Sequence, residues 1–272
     1  MTQQSRVAAR AHYGFDAPGI MLGLSLGGGA GVLIGCVIAA LAPGAWSYGG
    51  IAVTILGAVP LFFGLLMVNY AFVGKSRTRE RILDLANLRG GETVLNVGTG
   101  AGLLLVGAAK RTPRGKFVGI DLWASKDLSN NAVATTMRNV AVEGVADRVE
   151  VLTGDARELA FPDASFDRAV SLLCIHNIAD KADQARACRE IARVLKPGGR
   201  VVIGDYVPTH AYAAAFADAG LTVVQSRPAF GVALSLMWLL VADKPLTPTK
   251  GNSLSPSLRR TVASAQSSST SC

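Results

Sequence analysis

The sequence predicts an α/β fold, a doubly wound and mainly parallel seven-stranded sheet, preceded by two transmembrane helices. Three observations predict it. No Asp, Glu, Lys, Arg or His occurs between Asp16 and Lys75. Beyond Ser76, short apolar runs alternate with amphipathic helical stretches, the pattern of a parallel sheet covered on both faces. The first of those runs, Val94–Val97, leads into Gly98-Thr99-Gly100-Ala101-Gly102, a glycine-rich turn before a helix. Composition agrees. The 272 residues are 50% hydrophobic and 17% charged, against about 25% charged in an ordinary soluble domain, and mean hydropathy is +0.36. Part of the chain is therefore expected to lie outside water.

The uncharged stretch is far longer than the ~20 apolar residues of one span. It breaks at Pro43-Gly44-Ala45-Trp46-Ser47-Tyr48-Gly49-Gly50, giving spans near Ile20–Leu41 and Ile51–Phe72. Trp46 and Tyr48 fall at the break, and such rings favour a membrane surface. A cleaved signal peptide has an apolar region of only ~7–15 residues, so it explains the first stretch poorly and the second not at all. A buried core hairpin is the other alternative, and it should show a polar face. Gly23, Gly27, Gly31 and Gly35 recur every fourth residue and would form one smooth stripe. In lipid such a stripe lets another helix approach closely. Its partner is expected to be the second span, through Gly57 and Gly64, or a second copy of the chain in a homodimer. Pro60 is expected to kink the second span. Arg6 and Arg10 precede the spans, Lys75, Arg77, Arg79 and Arg81 follow them, and the connecting loop is uncharged. An integral membrane protein with the α/β domain and both termini in the cytosol is expected.

Four units follow: an N-terminal segment 1–16, a hairpin 17–74, an α/β domain 75–244 and a tail 245–272. In the domain, the apolar periodicity gives a helix over Thr78–Leu88, a strand over Thr93–Val97 and a helix over Leu103–Arg111. A strand over Lys116–Ile120, a helix over Ala132–Glu143 and strands over Val149–Leu152 and Asp167–Leu173 come next. A helix over Asp183–Leu195, a strand over Arg200–Tyr206 and a helix over His210–Ala219 follow. Leu221–Gln225 and Met237–Ala242 complete the sheet. The tail is rich in Ser, Thr and Pro and reads as disordered.

The net charge of +8 comes without a Lys/Arg block interleaved with aromatics, so no nucleic-acid partner is expected. Cys36, Cys174, Cys188 and Cys272 form no CxxC pair, and only three His are present. Neither a metal site nor a disulfide framework is indicated.

The chemistry begins at the glycine turn, where glycine lets a ligand lie against the backbone. Leu103 stands where the dinucleotide fingerprint asks for its third glycine. Asp121 ends the next strand, about 20 residues on, where a carboxylate accepts ribose hydroxyls. Further on come Thr153-Gly154-Asp155-Ala156-Arg157-Glu158-Leu159 with Phe161-Pro162-Asp163, then Ser165-Phe166-Asp167, then Leu195-Lys196-Pro197-Gly198-Gly199.

In that order and spacing, these segments resemble the class I S-adenosylmethionine-dependent methyltransferases. The nearest branch acts on small molecules and includes the ubiquinone and menaquinone methyltransferases. The resemblance runs from Arg81 to Lys244. It implies the Rossmann-like methyltransferase fold and S-adenosyl-L-methionine as cofactor. It implies that Gly98, Thr99, Gly100 and Gly102 make room for the methionine and ribose, that Asp121 holds the ribose hydroxyls and that Leu122 packs on the adenine. Asp155 would accept from the adenine amino group, the Ala156 backbone would meet the ring edge, and Leu173 and Cys174 would lie beside the cofactor. Asn96 departs from the pattern, which has an acid there to help bind the methionine ammonium. His176 and Asn177 border the family's acceptor pocket, and imidazole is a natural base near neutral pH. A hydrogen-bonded histidine that only shapes the pocket floor is the equal alternative. The acceptor expected of a tethered enzyme is small and lipophilic, methylated at O, C or N. Two other readings stay open: an inactive scaffold of the same fold, and an NAD(P)-dependent oxidoreductase.

Overall fold

The computed structural model describes residues 10–229 and 237–246. Arg6 and the tail from residue 247 lie outside the described residues.

Two helices open the chain, α1 (Pro18–Leu41) and α2 (Trp46–Ala86). Both are long and apolar enough to cross a membrane, and only 11% of each apolar window is buried. Leu41 is 80% exposed and Leu56 73%. A core hairpin of a soluble protein would bury such residues, so that alternative does not fit. The helices pack antiparallel through glycines. The position of a β-carbon on Gly57 lies 2.6 Å from Val32 N, and that on Gly31 lies 3.1 Å from Gly57 Cα.

The contact stripe differs from the expected one. Gly31 and Gly35 face α2, but Gly23 and Gly27 have nothing within 4 Å, and Gly28 takes their place. At 3.6 residues per turn, a row at every fourth residue drifts about 40° per step and winds off the contact face. A π-helical turn also lies over Gly23–Gly27. Pro60 sits within α2, which continues past it to Ala86.

Residue 75 therefore falls inside a helix. The last turns of α2, Lys75–Ala86, bury Ile82, Leu83 and Ala86 against the sheet. That sheet comprises β1 (Thr93–Val97), β2 (Lys116–Asp121), β3 (Val149–Thr153), β4 (Phe166–Leu172), β5 (Leu195–Asp205), β6 (Thr222–Pro228) and β7 (Trp238–Asp243). Its order is β3-β2-β1-β4-β5-β7-β6. Strands β1 to β5 pair in parallel, and β7 is antiparallel to both β5 and β6. Helices α3 (Leu103–Arg111), α4 (Val133–Val142), α5 (Lys181–Val194) and α6 (His210–Asp218) complete the layers.

Alternate strand residues feed the two sides of the sheet. Val94, Val170, Val202 and Val241 pack with α2, α3 and α4, whereas Leu95, Ala169, Val201 and Ala242 pack with α5 and α6. This period of two is why these runs form strands buried on both faces. Asp180, unremarked in the sequence, caps α5 by accepting from the Ala182 and Asp183 N–H groups. The strand expected from Arg200 begins earlier, taking Leu195–Gly199 into β5, because Leu195 pairs with Phe166 across a bulge in β4.

A strap precedes α1. Phe15 N donates to Ser129 Oγ at 2.8 Å, Ala17 N donates to Asp127 O at 3.0 Å, and Asn139 Nδ2 donates to His12 O at 2.8 Å. Lys75, at the foot of α2, donates to Gly14 O at 2.7 Å and pairs with Asp16 at 3.0 Å. The described part of the N-terminal segment, from residue 10, is thus sewn to the domain.

Candidate active site

The strand order reverses between β1 and β4. A crevice at the carboxyl ends of the strands is expected at such a switch point. A cavity of about 270 Å³ opens there. The glycine turn forms one wall. Gly98 takes φ +71° and Gly100 φ +52°, a region that costs other residues roughly 1–2 kcal/mol. A β-carbon on Gly98 would collide with Cys174 Cβ and Sγ, and one on Gly100 would come 2.9 Å from Leu128. The turn is held open by Asp121, whose Oδ2 accepts the Gly100 N–H at 2.7 Å. Asp121 Oδ1 accepts the Trp123 N–H at 2.7 Å and Asn131 Nδ2 at 3.3 Å.

Of the residues proposed from sequence, Gly98, Gly100, Asp121, Leu122, Asp155 and Ala156 line this cavity, as do Leu173, Cys174 and Asn177. Leu122 is 60% exposed, an apolar platform beside the carboxylate. Leu173 leaves β4 at φ +53°, a conformation kept by its N–H bond to Gly204 O. Burial pushes the Cys174 thiol up to about 12, so it is a neutral wall and not a nucleophile.

Four of the proposed residues stand elsewhere. Asn96 and Thr99 are buried beneath the turn, where Thr99 Oγ1 donates to Asn96 O. Gly102 opens α3 and abuts Thr136. His176 is not among the residues that line the cavity; its Nδ1 lies 2.8 Å from Asp205 Oδ1 and its ring packs against Tyr206. The ring is not aligned for a hydrogen bond to that oxygen. Asp205 is fully buried, and the Tyr206 N–H donates to it at 2.8 Å.

Asp155 is already occupied. Arg157 donates through Nε and Nη2 at 3.0 and 2.6 Å, and also reaches Asp183 at 2.7 Å. The Arg157 guanidinium holds the Asp155 carboxyl below its usual range, and Arg193 does the same for Glu190. Folded values that are depressed give stability that is complete above the ordinary carboxylate range and is lost as pH falls through the depressed ones. Thermal unfolding between pH 7 and pH 3 should therefore show a falling midpoint in the wild type. Arg157→Met should flatten that fall, and an unchanged profile would deny the pair its role.

Sequence reasoning missed Asp16, Arg157 and Asp205. Arg157 lies two residues past Asp155 and Asp205 ends a strand as Asp121 does, so both had local signals. Asp16 had none, since its place depends on the strap.

These groups suit an adenosyl cofactor. The turn has no side chain to block a ligand, a carboxylate stands at the tip of β2, and an apolar platform adjoins it. No group of three or more His, Cys, Asp or Glu able to hold a metal occurs among the described residues.

Comparison with known proteins agrees. Residues 94–199 match the family model described as a methyltransferase domain. Methyltransferase GfsG of Streptomyces halstedii is 34% identical over 48% of this chain and 44% of its own length. The demethylmenaquinone methyltransferase of Thermus thermophilus is 32% identical over 54% of this chain and 61% of its own. The chain thus spans less than two thirds of these relatives. Two solved structures share the fold. The [4+2]-cyclase SpnF gives a TM-score of 0.54 at 20% identity, over 63% of this chain and 81% of that one. Geranyl diphosphate C-methyltransferase of Streptomyces coelicolor, solved with S-adenosyl-L-homocysteine, gives 0.52 at 17%, over 62% and 80%. At such identities these two speak for the fold alone. Over residues 94–199 the chain is thus similar to methyltransferase domains.

Proposed function

We propose that the chain is a membrane-anchored methyltransferase that uses S-adenosyl-L-methionine to methylate a small lipophilic acceptor. One observation carries the reading. The cavity walled by Gly98, Gly100 and Asp121 lies at the foot of an apolar hairpin, and Asp16, two residues before α1, is part of its wall. Each helix exceeds the ~30 Å of a hydrocarbon core, since 24 residues rise about 36 Å. Arg10, Arg77 and Arg81 are exposed at the same end of the hairpin, which favours a cytosolic domain. An acceptor dissolved in the bilayer would then meet the site at a raised local concentration.

The bound cofactor supplies an electrophilic methyl group on a sulfonium, transferred in line to the acceptor. The chain's own residues bind and orient. Asp121 holds the ribose, Leu122 supports the adenine, and Leu173 and Cys174 exclude water from the reacting side. Where the acceptor loses a proton, His176 receives it, and Asp205 beside Nδ1 stabilises the resulting imidazolium. Asn177, on the cavity wall, faces the acceptor.

The test is titration calorimetry of the full chain in nanodiscs with S-adenosylhomocysteine, then a methyl-transfer screen on membrane lipids. Micromolar binding and lipid-dependent formation of S-adenosylhomocysteine from S-adenosylmethionine are expected. Binding without turnover on any lipid extract would favour the scaffold reading, to which the uncharged Asn96 lends weight. His176→Ala should lower turnover by about 10²–10³, within the span of general-base effects, and leave cofactor affinity unchanged. Unaltered turnover would remove His176 from the mechanism.

A further inference from the structure

The amino-acid end of S-adenosylmethionine carries an ammonium and a carboxylate beside the sulfonium. A buried ammonium needs acceptors, best of all a charged one. The glycine turn offers no charge, and neither does Asn96 behind it. A second, smaller cavity of about 50 Å³ lies beneath the turn. Asn96, Gly98 and Gly100 line it from the domain, and Asp16, Tyr70 and Lys75 from the strap and α2. Asp16, Gly98 and Gly100 also line the large cavity, so the two share a wall.

Three buried polar atoms of residues bordering this space have no hydrogen-bond partner: Asp16 Oδ2, the Tyr70 hydroxyl and Asn96 Oδ1. Asn96 is 1% exposed; its Nδ2 donates to Val170 O at 3.2 Å, and its Oδ1 is unsatisfied. The Tyr70 hydroxyl is likewise without a hydrogen-bond partner. Orphaned buried acceptors cost about 1–3 kcal/mol each and call for a ligand donor. Asp16 is the carboxylate among them. Lys75 fixes it at 3.0 Å and spends its other contacts on Tyr13 O and Gly14 O.

We infer that Asp16, together with Asn96 Oδ1, binds the ammonium of the cofactor's methionine end, so that the strap before the first apolar helix completes the cofactor site. Lys75 is a positioning residue that holds the strap and aims the Asp16 carboxylate. The inference rests on the S-adenosylmethionine reading above. The charge that the domain's own β1 lacks is thereby supplied from a segment some eighty residues upstream, counted along the chain from Asp16 to Asn96.

The experiment is calorimetry of the full chain in nanodiscs with two ligands. One is S-adenosylhomocysteine. The other is 5′-methylthioadenosine, which keeps the adenosine and thioether and lacks the amino-acid end. Asp16→Asn preserves the side-chain shape. It should weaken S-adenosylhomocysteine by about ten- to a hundredfold, the loss of one charge-assisted hydrogen bond, and leave methylthioadenosine unchanged. Adding Asn96→Asp to that variant should restore most of the loss. Unchanged S-adenosylhomocysteine affinity in Asp16→Asn overturns the inference. So does an equal loss for both ligands, which would mean that the strap only props the pocket. A wild-type chain that binds neither ligand sinks the underlying cofactor reading instead.

Discussion

Asp121→Ala should weaken binding of S-adenosylhomocysteine and 5′-methylthioadenosine alike, by about a hundredfold or more. A carboxylate that accepts two ribose hydroxyls makes two hydrogen bonds to a charged group, each worth about 1.5–3 kcal/mol. Losing both removes about 3–6 kcal/mol, and each 1.4 kcal/mol is a factor of ten. The substitution does further harm. Asp121 Oδ2 is the acceptor for the Gly100 N–H, and Oδ1 for the Trp123 N–H. Alanine leaves the glycine turn without the bond that holds it to the tip of β2. Because both ligands carry the ribose, both suffer, which separates this residue from Asp16. Titration calorimetry reads the result. Near wild-type affinity in Asp121→Ala would falsify the placement of an adenosyl group in this cavity.

The second large effect lies in the hairpin. Gly57→Leu should force α1 and α2 apart. Even the first added carbon would lie 2.6 Å from Val32 N and 2.7 Å from the Gly31 carbonyl carbon. Both are backbone atoms and cannot turn aside as a side-chain tip can. Overpacking in a tight contact costs up to about 3 kcal/mol where side chains yield, and here none is available to yield. Thr54 provides the readout, because its Oγ1 lies 3.8 Å from Cys36 Sγ across the hairpin. Thr54→Cys alone should form a disulfide with Cys36 under mild oxidation. The same substitution combined with Gly57→Leu should not. An equal yield of disulfide in both chains would mean that the two helices do not meet through their glycines.

What the sequence revealed was local. The strands announced themselves as β-branched and aliphatic runs, since a strand buried on both faces needs such residues at every position. The turn at Gly98–Gly102 and the acid at Asp121 were legible because both lie next to a strand end. The missing pieces were contacts between distant segments. Asn139 reaches back to His12, and Lys75 to Asp16. No periodicity encodes such pairings. The position of β7 between β5 and β6 was hidden for the same reason. The stripe of Gly23, Gly27, Gly31 and Gly35 misled in a more specific way, because a row at every fourth residue winds around a helix of 3.6 residues per turn, and the contact face holds Gly28, Gly31 and Gly35 instead. His176 was noticed for its type and its place after β4, but its carboxylate neighbour, Asp205, lies on another strand.

Helix α2 runs for 41 residues, with a π-helical turn over Tyr70–Gly74 just before the stretch Lys75–Ala86 that packs on the sheet. It begins at Trp46 and ends with Ala86 locked into the sheet. A pliable leash would let an enzyme sample every heading above a lipid surface. A continuous helix narrows that choice. In the membrane-anchored reading proposed above, a helix shared by hairpin and domain ties the tilt of the one to the heading of the other.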